Sequence, residues 1–302
     1  MIKNKLLILG GNGFLGKNIA ETFLNNGWKV YVFDIQKPDV PDSRINYITG
    51  NFFNNSDLQT AVSGKDLVIH AISTVNPGNS NARFMQGYEN DLLQTVRLCS
   101  MLIGTATKMI FLSSGGTVYG NQEIQPINES ALARPINHYG CVKLCIENIL
   151  RTFNTQFKTK FLIARVANPY GPGQDYLKGV GFIDAALKKA INNQKIEIWG
   201  DGETVRDYIY ITDVCNMIYS LWGYSGTDDT FNISSGEGVS QNEIINILKN
   251  LGYNPGVIYK PARNVDAKKM VLENKRILNV YNKKTISVKE GIQKYCNYLL
   301  GK

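Results

Sequence analysis

Histidine, paired cysteines and long apolar runs are scarce in this chain, and each scarcity excludes a class of protein. The two histidines, His70 and His138, are too few for a histidine-based metal site. Five scattered cysteines form neither a disulfide framework nor a Cys-x-x-Cys pair. No apolar run reaches the roughly 18 residues of a membrane span, and no signal-peptide pattern precedes the first apolar segment. We expect a cytoplasmic protein with reduced cysteines, no bound metal and no membrane partner.

Charged residues are spread along the chain rather than clustered. Lys plus Arg number 33 and Asp plus Glu 25, which gives a formal net charge of +8. Only short basic clusters occur, such as Lys268-Lys269 and Lys283-Lys284, so no stripe for nucleic acid is visible. A modest positive field suits a doubly phosphorylated small ligand equally well, so charge alone selects no partner. The hydrophobic content of 43% is ample for one large domain or two closely packed ones.

The chain opens with an apolar run that stops at a cluster of glycines. Residues 6–9 suit a buried central strand, and a helical pattern from Lys17 follows the glycines. Glycines at a strand-to-helix junction let the backbone approach a pyrophosphate, which the helix N-terminus attracts. A tight turn without a ligand is the alternative interpretation of the glycines alone. The residues of the junction are Gly10, Gly11, Asn12, Gly13, Phe14, Leu15 and Gly16.

A second predicted strand, 29–33, ends at Asp34, eighteen residues beyond Gly16. A dinucleotide-binding unit places there the carboxylate that accepts from the ribose hydroxyls of adenosine. No arginine adjoins Asp34, and its charge would repel a 2′-phosphate, which favours NAD over NADP. A loop-starting turn residue is the alternative interpretation of Asp34. The pattern predicts an α/β fold with a Rossmann-like, doubly wound parallel sheet.

Three further predicted strands end in residues suited to a ligand crevice. After strand 45–49, Asn51 and Phe52 are candidates to contact adenine, and a plain loop is the alternative. Strand 66–71 ends in small residues that let a ring approach closely. Strand 108–113 delivers hydroxyls and glycines to the edge where parallel sheets bind ligands. The candidates from these last two strands are Ala71, Ile72, Ser73, Ser113, Ser114 and Thr117.

Tyr139 and Lys143 lie four residues apart, so they share one face of a predicted helix. The unperturbed pKa of tyrosine is about 10, so the phenol needs nearby positive charge to act as a base. Lys143 and an oxidised nicotinamide would supply that charge. The phenolate would then exchange a proton with a sugar hydroxyl while hydride leaves the same carbon. A solvated helix face is the alternative that the pair alone leaves open.

These motifs resemble the extended short-chain dehydrogenase/reductases, in particular the NAD-dependent nucleotide-sugar epimerase/dehydratase family. Residues 165–174 resemble the family segment R-x-x-N-x-Y-G-P, and 200–214 resemble G-D-G followed by R-D-Y-I-x-V-x-D-V. The matches continue through 231–240 and 261–266, so the resemblance covers nearly the whole chain. It implies NAD as cofactor, a nucleoside-diphosphate sugar as substrate and Tyr139 with Lys143 as the catalytic pair.

The resemblance also assigns residues to the ligands. It implies that Asn168, Arg206 and Arg263 hold the diphosphate, and the planar fork of arginine suits phosphate oxygens. Asn90 matches a family residue near the cofactor and the sugar, although a solvated helix residue is an equal alternative. Counting from the 261–266 segment, Met270 falls near the family's size gate for N-acetyl groups.

Two departures from the family pattern affect the site. Gly115 occupies the position of the family's usual catalytic serine, so Ser114 or Thr117 must supply the hydroxyl. Val75 stands where better-known epimerases place a lysine near the nicotinamide ribose. A dehydratase is not expected, because Gly116-Thr117 lacks the adjoining Asp-Glu pair that eliminates water.

The resemblance favours 4-epimerisation of UDP-glucose and UDP-galactose, or of their N-acetylated counterparts, through a transient 4-keto sugar. A reductase of a nucleotide-linked 4-keto-6-deoxy sugar would use the same tyrosine and lysine. A non-catalytic dinucleotide-sensing regulator would need neither side chain, so it is the remotest alternative.

The expected architecture has an NAD-binding part, 1–167, and a smaller α/β substrate-binding lobe, 168–302, with a segment near 205–230 crossing back. Predicted helices at 87–103 and 139–153 are apolar on two sides. A helix with two apolar sides needs two partners. We therefore expect these helices to pack on the sheet and also on their copies in a homodimer.

Overall fold

The computed structural model describes residues 3–178, 180–261 and 267–301. The strands in chain order are β1 Lys5–Leu9, β2 Lys29–Asp34, β3 Asn46–Thr49, β4 Leu67–His70, β5 Lys108–Ser114, β6 Phe161–Val166, β7 Asn168–Tyr170, β8 Ile196–Trp199, β9 Val205–Tyr210, β10 Thr230–Ile233, β11 Gly238–Ser240, β12 Val257–Lys260 and β13 Lys269–Met270. The α-helices are α1 Phe14–Asn25, α2 Asn55–Val62, α3 Phe84–Gln86, α4 Leu93–Met101, α5 Gly115–Val118, α6 His138–Phe157, α7 Phe182–Ile191, α8 Ile211–Ser220, α9 Gln241–Asn250, α10 Lys275–Tyr281 and α11 Val288–Leu299.

Seven strands form one parallel sheet in the order β3-β2-β1-β4-β5-β6-β10. The chain winds outward from β1 in one direction and from β4 in the other. The carboxyl ends of β1 and β4 therefore lie side by side, which is where open parallel sheets bind ligands. The doubly wound α/β prediction is confirmed.

Alternate residues of β1 enter two separate apolar layers because successive side chains of a strand face opposite sides of the sheet. Leu6 and Ile8 pack with α1 and α8 on one face, and Leu7 and Leu9 pack with α2, α4 and α6 on the other. All four side chains are fully buried, as the uninterrupted apolar run predicts for a central parallel strand.

The predicted long helix at 87–103 is interrupted. A short α-helical turn, α3, leads into a π-helical turn at Gly87–Leu92, and only then does α4 begin. Gly87 allows this turn to approach α6, because a Cβ at residue 87 would lie 3.1 Å from Val75 and 3.2 Å from Val142. π-helical turns often mark functional sites.

The smaller lobe contains a four-stranded sheet of β7, β9, β11 and β13 and a separate parallel pair, β8 and β12. The segment after β9 returns to the large sheet: α8 packs on α1, and β10 adds to the edge at β6. The division at residue 167 stays our proposal. No helix among the described residues is long and apolar enough to cross a membrane.

Candidate functional site

A cavity of about 580 Å³ lies at the carboxyl ends of β4, β5 and β6 and is also lined by residues of the smaller lobe. It brings together side chains that the sequence analysis selected from separate segments. These are Phe14, Leu15, Ala71, Ser73, Ser113, Ser114, Thr117, Tyr139, Lys143, Asn168 and Arg206.

The other predicted residues that the structure describes do not line this cavity. Gly10, Gly13 and Gly16 form the turn before α1, and Ile72 packs against that turn. Asn90 lies on the π-helical turn. Arg263 lies outside the described residues.

The glycine turn has the close backbone packing that a pyrophosphate site requires. A Cβ at Gly16 would lie 2.6 Å from the Cα of Gly11 and 2.8 Å from the carbonyl oxygen of Gly10, so only glycine fits. Gly10 itself has a φ of +78°, a conformation that glycine adopts readily. Gly13 caps α1 without a side chain, and the first turn carries no acidic residue. These residues fit a dinucleotide phosphate at the helix N-terminus.

Asp34 is tied to the glycine turn. Its carboxylate accepts hydrogen bonds from the backbone N–H of Asn12 at 3.0 Å and of Ile35 at 2.9 Å. The nearby Arg44 is engaged with Glu21 and Asp42, both at 2.6 Å. The Asp34 carboxylate is thus held against the turn that fits the dinucleotide phosphate. Its contact with the adenosine ribose stays a prediction.

Phe52 and Asn51 have different surroundings. The Phe52 ring is buried in the core, with its centroid 5.3 Å from that of His70, so it is not exposed to pack on adenine. Asn51 is exposed, and its side-chain oxygen accepts from the backbone N–H of Phe53 at 3.0 Å, in a local turn. Contact of these two residues with adenine stays a prediction.

The start of α6 places Tyr139 against the end of β5. Asn137 caps the helix, because its side chain accepts from the backbone N–H of Gly140 at 2.8 Å. A Cβ at residue 140 would lie 2.6 Å from the carbonyl oxygen of Thr117, so glycine allows α6 to approach α5 closely. Tyr139 therefore faces the same cavity as Ser114 and Thr117.

Ser114 and Tyr139 line the same cavity, and the Ser114 hydroxyl lowers the pKa of the Tyr139 phenol, as a donor to the phenolate does. Burial raises the pKa of Tyr139 to about 12, the Asp91 carboxylate raises it further, and the Ser114 hydroxyl opposes both. The expected lowering of this pKa by Lys143 is thus not found in the protein alone. The physical reason is that moving a phenolate out of water costs more free energy than interactions with the surrounding residues restore.

Lys143 is buried beneath Tyr139. Its ammonium donates to the carbonyl oxygen of Leu112 at 3.1 Å and lies 5.5 Å from the centroid of the Tyr139 ring. Burial lowers the pKa of Lys143 to about 8, while the carboxylates of Asp91 and Glu147 oppose that shift. The amine therefore remains mainly charged at neutral pH, but it titrates at lower pH than an exposed lysine.

Ser113 faces a carboxylate. Its hydroxyl donates to Glu147 at 2.6 Å, and Arg165 forms an ion pair with the same side chain at 2.6 Å. Glu147 is one turn beyond Lys143 on α6, and Arg165 lies on β6. This buried cluster fixes the catalytic helix to two neighbouring strands. The contact was not foreseen, because nothing in the local spacing pairs Glu147 with β5 or β6.

Gly115 faces away from the cavity. A Cβ at this position would overlap the Leu272 side chain and lie 3.1 Å from the carbonyl oxygen of Arg165. A serine here would therefore point into the core in this structure. Both candidates for the missing hydroxyl, Ser114 and Thr117, line the cavity. The Thr117 hydroxyl contacts the backbone oxygen of Ser114 at 3.5 Å.

The lobe side of the cavity contains Asn168, Arg206 and Met270. The Asn168 amide donates to the backbone oxygen of Asp207 at 2.9 Å, and Arg206 donates to that of Ala267 at 2.7 Å. Met270 is nearly buried and lines the cavity, as its expected role as a size gate requires. Sequence reasoning did not find several other lining residues, since their side chains carry no charge: Gln174, Phe182, Trp199, Tyr208 and Gln241.

The model of the NAD dependent epimerase/dehydratase family matches residues 6–234. The chain belongs to this family. A putative UDP-glucose 4-epimerase of Methanocaldococcus jannaschii is 29% identical over 97% of this chain and 98% of its own length. A dTDP-4-dehydro-6-deoxyglucose reductase of Escherichia coli is 30% identical over 97% and 96%. The UDP-glucose 4-epimerase of Thermotoga maritima, solved with UDP-glucose, superposes with a TM-score of 0.92 at 26% identity, covering 98% and 99% of the two chains.

Membership establishes an enzyme of the extended short-chain dehydrogenase/reductase type that depends on NAD. The glycine turn, with Asp34 at its end, is the feature of this chain that fits the cofactor. No group of three or more His, Cys, Asp or Glu side chains among residues 3–178, 180–261 and 267–301 could hold a metal ion.

Proposed function

We propose that this enzyme is a 4-epimerase of a nucleoside-diphosphate hexose, UDP-glucose/UDP-galactose or the N-acetylated pair, working through a transient 4-keto sugar. The observation that carries the proposal is that Ser114, Tyr139 and Lys143 line one cavity with Asn168 and Arg206. Proton-transfer groups and phosphate-binding groups then act on the same bound molecule.

Each residue has a distinct part in this mechanism. Tyr139 accepts the proton of the 4-hydroxyl, and Ser114 hydrogen-bonds both the phenol and the sugar oxygen. The charge of Lys143 favours the phenolate form of Tyr139, which is the form that accepts this proton. Bound NAD supplies the hydride acceptor and donor. Arg206, Asn168 and Arg263 hold the diphosphate, so the 4-keto sugar turns within the cavity without being released.

A reductase of a nucleotide-linked 4-keto-6-deoxy sugar is the second candidate, and the Escherichia coli relative at 30% identity supports it. The two activities differ in cofactor exchange. An epimerase returns the hydride to the same substrate and retains its NAD, whereas a reductase consumes one reduced dinucleotide per turnover.

Two measurements separate the candidates. Heat denaturation of the purified enzyme should release close to one NAD per chain if it is an epimerase, and little or none if it is a reductase. A coupled assay should then show interconversion of UDP-glucose or UDP-N-acetylglucosamine without added cofactor. Oxidation of added NADH by a dTDP-4-keto-6-deoxy sugar, with no epimerisation, would reject the proposal in favour of the reductase.

We also propose a homodimer built on α4 and α6. Leu93 on α4 exposes 53% of its surface and Phe157 on α6 exposes 46%, although both helices also pack on the sheet. A second copy would cover these side chains. Sedimentation of the wild type and of L93D tests this, with a monomeric L93D expected. The five cysteines form no disulfide, in keeping with the cytoplasmic location that we propose.

A further inference from the structure

A buried carboxylate, Asp91, lies next to the catalytic pair and has no part in the mechanism above. It sits on the π-helical turn with 3% of its surface exposed. Its oxygens accept from the Ser73 hydroxyl at 2.8 Å and from the backbone N–H of Thr74 at 3.0 Å. Asp91 thereby holds the turn after β4, which lines the cavity through Ser73.

Thr95 on α4 anchors this π-helical turn. The Thr95 hydroxyl donates to the backbone oxygen of Asp91 at 2.6 Å and also contacts the His70 ring at 2.9 Å. Because the Thr95 proton goes to Asp91, the His70 nitrogen is the donor in the second contact. The carboxylate is thus held at a fixed place between the sheet and α6.

The titratable groups around Lys143 are Asp91 on the π-helical turn, His70 at the end of β4, and Tyr139 and Glu147 on its own helix. Burial keeps His70 neutral, since it lowers the pKa of this ring to about 3.

The two carboxylates beside Lys143 differ in how far their charge is offset. Glu147 is offset by two guanidinium groups, Arg165 at 2.6 Å and Arg151 at 3.3 Å. Asp91 accepts hydrogen bonds from neutral donors, the Ser73 hydroxyl and the Thr74 peptide N–H. Its negative charge therefore acts on Lys143 with less compensation.

We propose that Asp91 is a positioning residue that holds the ammonium of Lys143 in its charged form and fixes the 73–74 turn beside the cavity. The Asp91 carboxylate favours the charged form of Lys143 and opposes the lowering of its pKa by burial. The same carboxylate raises the pKa of Tyr139, so D91N removes two opposing effects on the phenolate. The kinetic consequence, a shift of the Lys143 titration, rests on the proposed function, in which charged Lys143 favours the Tyr139 phenolate.

The test is a direct titration of Lys143 in the full-length enzyme with ¹³C-labelled lysine and NMR, the resonance being assigned by its absence in K143M. In D91N the amide keeps the shape of the carboxylate but not its charge. We expect the pKa of Lys143 to fall by about one unit, because an adjacent opposite charge shifts a pKa by about 1–3 units. The matched control is E89Q, which removes an exposed charge from the same turn and should leave the resonance unchanged.

An unchanged Lys143 titration in folded D91N would overturn the proposal. S73A provides a second test that does not depend on the folding of D91N, because it removes only a neutral donor to Asp91. Lys143 in S73A should titrate at or above the wild-type pH. A fall would show that the position of the turn, rather than the carboxylate charge, controls Lys143, and would also overturn the proposal.

The pH dependence of kcat gives a separate reading. In D91N its alkaline limb should move to lower pH by the same amount as the NMR titration. If the titration moves and the kinetic limb does not, the inference about Asp91 stands and the catalytic role assigned to Lys143 fails.

Discussion

Ser114 at the end of β5 and Tyr139 at the start of α6 line one cavity, and Ser114 lowers the pKa of the Tyr139 phenol. This relationship favours Ser114 over Thr117, the other hydroxyl that the sequence left open, because the Thr117 hydroxyl contacts a backbone oxygen. We therefore propose that Ser114 donates to the Tyr139 phenolate.

We expect S114A to lower kcat by about 10²-fold, as loss of one donor at a developing negative charge does. T117V should lower it less, since the Thr117 hydroxyl contacts the backbone oxygen of Ser114 and has no effect on the pKa of Tyr139. Steady-state kinetics of both variants with the nucleotide sugar provide the comparison. A larger loss in T117V would reverse the assignment.

Replacing Tyr139 by phenylalanine removes the proton acceptor. The rate should fall by about 10²–10⁴-fold, the usual contribution of a general acid or base. The matched control is Y119F: Tyr119 also has a buried hydroxyl, which donates to Asn232 at 2.7 Å, but it does not line the cavity. Y119F should lower the melting temperature and leave kcat within a few-fold of wild type. Normal interconversion by Y139F would exclude Tyr139 as the base.

Gly115 should tolerate no side chain. In G115A the added Cβ overlaps Leu272, and overpacking of this kind costs about 1–3 kcal/mol. Gly116 is the control, because the nearest atom to a Cβ there is the Asn168 side-chain oxygen at 3.8 Å. Urea unfolding should show a lower free energy of unfolding for G115A than for G116A. Equal values would mean that Leu272 moves aside without cost.

His70 should make the enzyme less stable in acid. Burial lowers its pKa to about 3 in the folded state, whereas an unfolded histidine titrates near about 6.5. Between these values the unfolded chain binds more protons, so stability falls as the pH falls. The loss from this residue between pH 7.5 and 5 is about 2 kcal/mol. In H70Q, the free energy of unfolding should depend less steeply on pH over that range. The same slope in both proteins would contradict the prediction.

Local patterns were enough to locate the glycine turn, Asp34 and the Tyr139–Lys143 pair. The turn depends on steric contacts between near neighbours, and the pair depends on the four-residue repeat of a helix. Both kinds of information are contained in short segments. The doubly wound parallel sheet was predicted for the same reason, since buried parallel strands appear in the sequence as apolar runs.

Other features depend on packing between distant segments. Phe52 follows a strand, as adenine-binding residues do, but its ring packs against His70 in the core. Gly115 was expected to leave the site without the usual serine hydroxyl. In the structure this position faces Leu272, more than 150 residues later in the chain, instead of the cavity. Asp91 was not predicted as a site residue, because the apolar spacing of the predicted helix 87–103 does not reveal the π-helical turn within it.

The last strand of the large sheet, β10, comes from residues 230–233, after the chain has left the sheet to form β7, β8 and β9 of the smaller lobe. A fragment ending at residue 167 would therefore leave the backbone of β6 with an open edge able to pair with another chain. During synthesis, the same edge stays open until residue 233 has emerged from the ribosome. A nascent chain halted in this interval is the form of the enzyme that we expect to aggregate.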